Sequence, residues 1–434
     1  MTLTHTWLPA SKPDAEDLLQ IVKAEGSHLI TLDGRVIYDA ISSWWCKPLG
    51  HRHPLVIKSI TEQLKHFGHH ISVAASNQII EELSTRLVNI FSQMDKVMYA
   101  SDGSSAIEMA MKLSYKTRVL NNQKERNKFI ALNGAYHGET IFTLAACGIE
   151  SYKTTYANLL TENYFIEDIP YVNSRFDPLW LECNFAADKL DKFFAQIAGQ
   201  TTALIIEPVV QGAAGIKIIS RDFLIKLINL AKKYAIHIIS DEIMVGLGRL
   251  GCYSVTKDIL HYEPEFVCFG KNLTAGSIPM SAVVINKSIT DVFRQHQRLF
   301  AHSHTHSCNV LAASVALNYL KFLDNSPLLN NVILIEPKFL ELMQKFATKF
   351  EFITNPRAIG AIAACELRLD KSILNSIFKI GVQHGIYLRL IGNTLYILPP
   401  LYNLSHDLFE IERKLNAVLT SININQPKAF LIQA

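Results

Sequence analysis

Through its middle, the chain alternates short apolar runs with longer amphipathic stretches. Runs at residues 97–100, 129–132, 203–206, 236–240 and 266–269 are each too short for a stable helix, and each ends in polar residues or glycine. Strands joined by amphipathic crossover helices build a mostly parallel sheet, so the pattern predicts an α/β core. In such a sheet ligands bind beyond the carboxyl ends of the strands, where backbone groups and helix N-termini are free to meet them. The residues that follow each run are therefore the candidates for chemistry.

The two ends of the chain have another rhythm. Residues 29–32 and 36–40 flank the turn Asp33-Gly34, and residues 387–390 and 395–398 flank Gly392-Asn393, both in the manner of hairpins. An α+β lobe assembled from both ends is expected. No internal repeat or low-complexity tract interrupts the pattern, and the clearest polar breaks fall at 121–126 and 325–327.

Composition then narrows the function. With 434 residues, 49% of them hydrophobic and 19% charged, the chain can bury a large core, expected to be split between two lobes. A formal charge of +3 without a Lys/Arg block gives nothing to track a phosphate backbone, so small molecules are the expected partners rather than nucleic acid. The seven cysteines are scattered, odd in number and free of CxxC spacing, which argues against a disulfide framework and a zinc site and fits a reducing cytoplasm. The first residues lack the basic flank and unbroken apolar stretch of a signal peptide, and no membrane span is expected.

Five strand-end segments carry candidate chemistry. Ser101-Asp102-Gly103-Ser104-Ser105 combines small residues and hydroxyls before a helical stretch, which suits a phosphate and equally suits a plain N-cap. Tyr136, in Ala135-Tyr136-His137-Gly138, can stack on a planar group or fill a sheet edge, and Ile206-Glu207-Pro208 is weak alone. Asp241, ending the run at 236–240, can pair with a protonated ring nitrogen or cap the next turn. Lys271, after the run 266–269, would be desolvated and its amine pKa depressed, as Schiff-base chemistry requires, unless it snorkels to solvent.

In that order, these segments resemble the ornithine/omega-type group of fold-type I pyridoxal-phosphate aminotransferases over nearly the whole length. The resemblance implies a large cofactor-binding domain at 56–319 with a mostly parallel seven-stranded sheet, and a smaller domain from residues 1–55 and 320–434. It makes Lys271 the lysine that carries pyridoxal 5'-phosphate and Asp241 the partner of the pyridine nitrogen. Gly103 and Ser104 become the phosphate cup, Tyr136 the stacking ring, and Ile243 its counterpart on the other face. Thr305 would reach the cofactor phosphate of a partner subunit, in a homodimer.

Within that group, Ser42-Ser43-Trp44-Trp45 resembles the branch that aminates a keto-aminopelargonate in biotin synthesis, usually with S-adenosylmethionine as amino donor. Adjacent tryptophans on a strand point opposite ways, so one is expected in a substrate pocket and one in the core. The resemblance extends to Arg389 as the clamp on a substrate carboxylate, and to Ser303 and Tyr396 beside the substrate. Several positions depart from the pattern: Ala10 stands where a tyrosine is usual, Glu139 where an aspartate is usual, and Ser303, His304 and His306 surround Thr305 where small residues or proline are usual.

Other readings compete. Gly246-x-Gly248-x-x-Gly251 follows a strand and has Glu265 at a distance that fits a dinucleotide fingerprint, but Cys252-Tyr253-Ser254-Val255-Thr256 is a poor helix start. His302-x-His304-x-His306 invites a metal, yet only Cys308 lies near enough to complete a set. A binding protein on the same fold would have little use for both Lys271 and Asp241.

Overall fold

The computed structural model describes residues 5–13 and 18–424. At its centre are seven strands: β1 (Met94–Ala100), β2 (Lys128–Leu132), β3 (Tyr164–Ile166), β4 (Thr201–Ile206), β5 (His237–Asp241), β6 (Phe266–Phe269) and β7 (Ser281–Asn286). Their order across the sheet is β1-β7-β6-β5-β4-β2-β3. β7 runs antiparallel to both neighbours, and the other pairs are parallel. All five predicted runs are strands of this sheet. β3 and β7 were not anticipated. The chain between β6 and β7 is too short for a helical crossover, so β7 can return only antiparallel.

β4, β6 and β7 are buried along their whole length, which explains why they read as continuous apolar runs rather than alternations. One face is covered by the helix Gly103–Leu120, whose Ile107, Met109 and Leu113 pack with Ile205, Ile239, Phe266 and Val283. On the other face, Phe223 and Leu227 of the helix Arg221–Lys233 meet Leu204, Ile206 and Ile238. With both faces covered, only the strand ends remain open to a ligand.

The ends of the chain interlock. Strands Ile21–Glu25, His28–Thr31 and Val36–Asp39 form an antiparallel meander, and Ile386–Tyr387 adds to it in parallel beside Val36–Asp39. This corrects the expected second hairpin. Only Leu390–Ile391 pairs with Thr394–Ile397 around Gly392-Asn393, while the residues just before it cross to the N-terminal sheet. Ile353–Ile359 and Ile362–Leu367 complete the C-terminal sheet, against which the helix Leu328–Lys349 packs. All seven cysteines are free. Among the described residues, no helix is long and apolar enough to cross a membrane.

Beyond β2 the chain doubles back tightly: Gly134 N donates to Gly148 O at 3.0 Å, and Gly148 N donates to Ala135 O at 2.7 Å. A Cβ on Gly148 would lie 2.6 Å from Gly134 N and closer still to Leu132 O, both backbone atoms that cannot rotate away. Gly148→Ala is therefore expected to cost about 2 kcal/mol of stability. A urea midpoint unchanged from wild type, at equal m, would refute this.

Candidate active site

A cavity of about 700 Å³ opens beyond the carboxyl ends of the strands. Five strands that run in one direction each deliver part of its wall: Ser101–Ser104 follow β1, Tyr136–Glu139 follow β2, Glu207 follows β4, Asp241 ends β5 and Lys271 follows β6. The covered faces of the sheet leave these side chains nowhere else to converge.

At the start of the helix Gly103–Leu120, Asp102 accepts from Ser105 N at 2.9 Å, so the cap leaves Gly103 and Ser104 on the cavity wall at the positive end of the helix dipole. Gly103 lies close under Ile243, whose Cδ1 would have to shift from a Cβ there at 2.8 Å. Gly138, at φ +123°, is held as closely, since its Cβ would fall 2.6 Å from Ser104 Cβ. The result is a cradle built by close backbone approach, suited to an anion of phosphate size.

Asp241 Oδ2 lies 2.8 Å from His137 Nδ1, and Asp241 Oδ1 accepts from Ile243 N at 3.2 Å. His137 Nε2 is buried without a partner among the described residues. The tautomer protonated on Nδ1 satisfies the carboxylate and leaves Nε2 without a proton to strand. The amine of Lys271 is enclosed 5.1 Å from the centre of the Trp45 ring. Burial lowers its pKa more than the nearby Asp241, Glu207 and Cys46 raise it.

Trp44 and Trp45 do not lie on a strand, which corrects the expectation. Ser42, Ser43, Trp44 and Trp45 have φ of +50°, +47°, +82° and +72°, making one left-handed turn closed by Trp45 N donating to Ile41 O at 2.8 Å. For residues with a Cβ this conformation costs about 1–2 kcal/mol each. The buried carboxylate of Asp39 holds the turn, accepting from Ser43 N at 3.1 Å, Ser43 Oγ at 2.8 Å and Ile41 N at 3.3 Å. His51 Nε2 lies 2.9 Å from the same carboxylate. Both rings line the cavity, which differs from the expected division between pocket and core. Trp45 is buried, donating from Nε1 to Tyr396 OH at 3.2 Å, while Trp44 is half-exposed with the Arg389 guanidinium 4.2 Å from its ring centre.

Of the candidates, Trp44, Trp45, Gly103, Ser104, Tyr136, Asp241, Ile243, Lys271 and Arg389 share this one cavity. Tyr396 stands behind Trp45, fully buried. Ser303 and Thr305 are exposed on a separate loop and line no wall of it in the single chain; nor do residues 5–13, which include Ala10. Glu139 uses its longer arm to accept from Tyr136 OH at 2.9 Å. In the nearby loop, His302 Nδ1 contacts Lys112 Nζ at 2.8 Å and His302 Nε2 contacts His304 Nε2 at 3.0 Å. His306 packs on His69.

Gly246 and Gly251 are packing residues, since Cβ atoms there would strike Glu242 O, Phe269 or Ile333, and Gly248 is required by its φ of +110°. Arg249 is buried and donates to Pro399 O at 2.6 Å, the helix that follows is only Val255–Asp258, and Glu265 accepts from Ile238 N at 2.7 Å. That leaves no turn for a dinucleotide. Sequence reasoning missed Asp39, His51 and the service of His137 to Asp241. His137 stood beside Tyr136 at the end of β2, and strand-end position was the signal available for it.

The profile of the class-III aminotransferases matches residues 10–419, and the chain belongs to that family. It is a pyridoxal-phosphate-dependent aminotransferase. Among its relatives, an adenosylmethionine-8-amino-7-oxononanoate aminotransferase of Synechococcus elongatus is 31% identical over 91% of this chain and 94% of its own length. The enzyme of that name from Helicobacter pylori is 29% identical over 94% of each. Among solved structures, an amine transaminase from an uncultivated Pseudomonas species, in its pyridoxal-phosphate-bound form, is 25% identical with a TM-score of 0.89, covering 96% of this chain and 99% of that one. The adenosylmethionine-8-amino-7-oxononanoate aminotransferase of Methanocaldococcus jannaschii is 26% identical with a TM-score of 0.85, over 96% and 97%.

Glu207 gives the site a titration of its own. Its buried carboxyl accepts from Tyr136 N at 2.8 Å and Gly212 N at 2.9 Å. Burial, helped by Asp241, nevertheless pushes its pKa up to about 7. An acid raised on folding contributes most below its unfolded pKa and loses that contribution as pH climbs to the folded value. The cofactor-free protein should lose roughly 3 kcal/mol relative to Glu207→Gln between pH 4.5 and pH 7.5. Urea unfolding of both across that range checks the slope, and parallel curves would contradict it.

Proposed function

We propose that this aminotransferase converts 7-keto-8-aminopelargonate to 7,8-diaminopelargonate in biotin synthesis, with S-adenosylmethionine as amino donor. The observation that carries the proposal is the meeting of two kinds of binding group in one cavity, a desolvated lysine beside a carboxylate and a guanidinium laid on a tryptophan. An amino-keto acid has a carbonyl for the first and a carboxylate for the second. The names of the relatives support the same substrate.

In this reading Lys271 would hold the cofactor and would move the α-proton of the donor. Burial lowers its pKa and so favours the uncharged amine, the form able to accept that proton. Pyridoxal phosphate supplies a carbonyl for condensation with amines and a ring that takes up the electron pair left by the departing proton. Asp241 keeps the ring nitrogen protonated, and His137 keeps Asp241 aimed. Gly103, Ser104 and the helix start take the phosphate, and Tyr136 and Ile243 flank the ring. The active form is a homodimer in which Thr305 of one protomer reaches the phosphate held by the other, with Ser303 beside the substrate. A cytoplasmic location fits the seven free thiols.

Trp44 and Trp45 shape the acceptor side, Tyr396 backs them, and Arg389 grips the carboxylate. Arg389→Ala should raise KM for the keto acid roughly 10- to 100-fold while leaving its methyl ester almost unaffected. Equal losses for acid and ester would remove Arg389 from the site. The function itself is tested by the purified enzyme with 7-keto-8-aminopelargonate, comparing S-adenosylmethionine with lysine and ornithine as donors. No amination of that ketone with any donor would overturn the substrate assignment.

A further inference from the structure

We infer that Asp39 and His51, neither of which lines the cavity, are positioning residues for the carboxylate end of the pocket. The inference rests on the reading of Arg389 as the carboxylate clamp and adds what sets that clamp. The left-handed turn at residues 42–45 is conformationally unfavourable at each of its four positions, so it persists only if neighbouring bonds hold it. Asp39 supplies them. One oxygen takes the backbone of Ile41 and Ser43, and the other takes Ser43 Oγ and His51 Nε2. His51 is itself fixed, its N donating to Gly26 O at 2.7 Å and its O accepting from Gly26 N at 3.1 Å.

The same residue also fixes the other half of the clamp. Asp39 is the register partner of Tyr387 in the parallel pairing of Val36–Asp39 with Ile386–Tyr387, and Arg389 lies two residues beyond. Trp44, on the turn, and Arg389, past the strand, are thus both referenced to Asp39, one through its side chain and one through its backbone. The stacked geometry, 4.2 Å between guanidinium and ring, follows from that common origin. The acceptor carboxylate is recognised by a guanidinium whose orientation is set by the tryptophan below it. Selectivity for an acid over its ester is therefore controlled from outside the pocket.

The test uses the holoenzyme in steady-state and single-turnover assays with the keto acid, its methyl ester and a simple amine donor. Asp39→Asn should raise KM for the acid about tenfold and leave KM for the ester within about twofold. His51→Gln, which removes one bond and leaves the turn's backbone acceptor in place, should move the same ratio in the same direction by a smaller factor. This milder variant keeps the test valid if Asp39→Asn does not fold. In an Arg389→Ala background, either change should have no further effect on the acid-to-ester ratio. If Arg389→Ala discriminates acid from ester while Asp39→Asn and His51→Gln do not, the inference is wrong and the clamp stands. Equal loss for acid and ester in both variants also overturns it, since that is what a purely structural role produces. If Arg389→Ala itself fails to discriminate, the functional reading fails and takes this inference with it.

Discussion

The site depends on one unfavourable burial, a lysine amine held away from water. An exposed lysine is charged at neutral pH and neither condenses with a carbonyl nor accepts a proton, so the fold must keep Lys271 dry against the pull of two neighbouring acids. It does so with rigid walls. β6 is buried throughout, Asn272 donates to Gly246 O at 3.2 Å just past the lysine, and Trp45 covers the amine. Each wall has its own anchor, and Trp45 reaches its place only through a backbone turn that most residues avoid.

The acids around the lysine are kept apart by different means. Asp241 is occupied by an imidazole and a backbone amide, whereas Glu207 is occupied by two backbone amides and no cation. Burial raises the pKa of Glu207 accordingly. Burial therefore favours the neutral form of Glu207 and weakens its pull on Lys271. Two carboxyls on neighbouring strands thus differ in their surroundings, one paired with an imidazole and the other buried on backbone amides.

The strands of the sheet were legible because burial on both faces writes short apolar runs, and the cavity was legible because parallel strands all end on one side. β7 escaped because antiparallel return is a matter of connection length, and β3 because three residues are too few for a pattern. The cofactor end of the site was visible as types of residue at strand ends: Lys271, Asp241, Tyr136 and the Gly103-Ser104 pair. The acceptor end was less so. Paired tryptophans announced a pocket, but the backbone that carries them was misread, since nothing local in Ser42-Ser43-Trp44-Trp45 favours positive φ. That conformation is imposed by Asp39 and His51 and by Ser42 Oγ donating to Leu398 O at 2.8 Å, the last a contact from the far end of the chain.

The strand Ile386–Tyr387 closes a sheet whose other members lie before residue 40. During synthesis, Val36–Asp39 is made early and waits with its outer edge unpaired while some 350 residues are added. An open strand edge is a template for pairing with another chain, and contacts this distant in sequence form slowly. The two-residue length of the closing strand keeps that edge short. The acceptor clamp is thus the last part of the site that synthesis can complete: Trp44 is made early, but Arg389 and the strand that places it arrive only with the C-terminal segment.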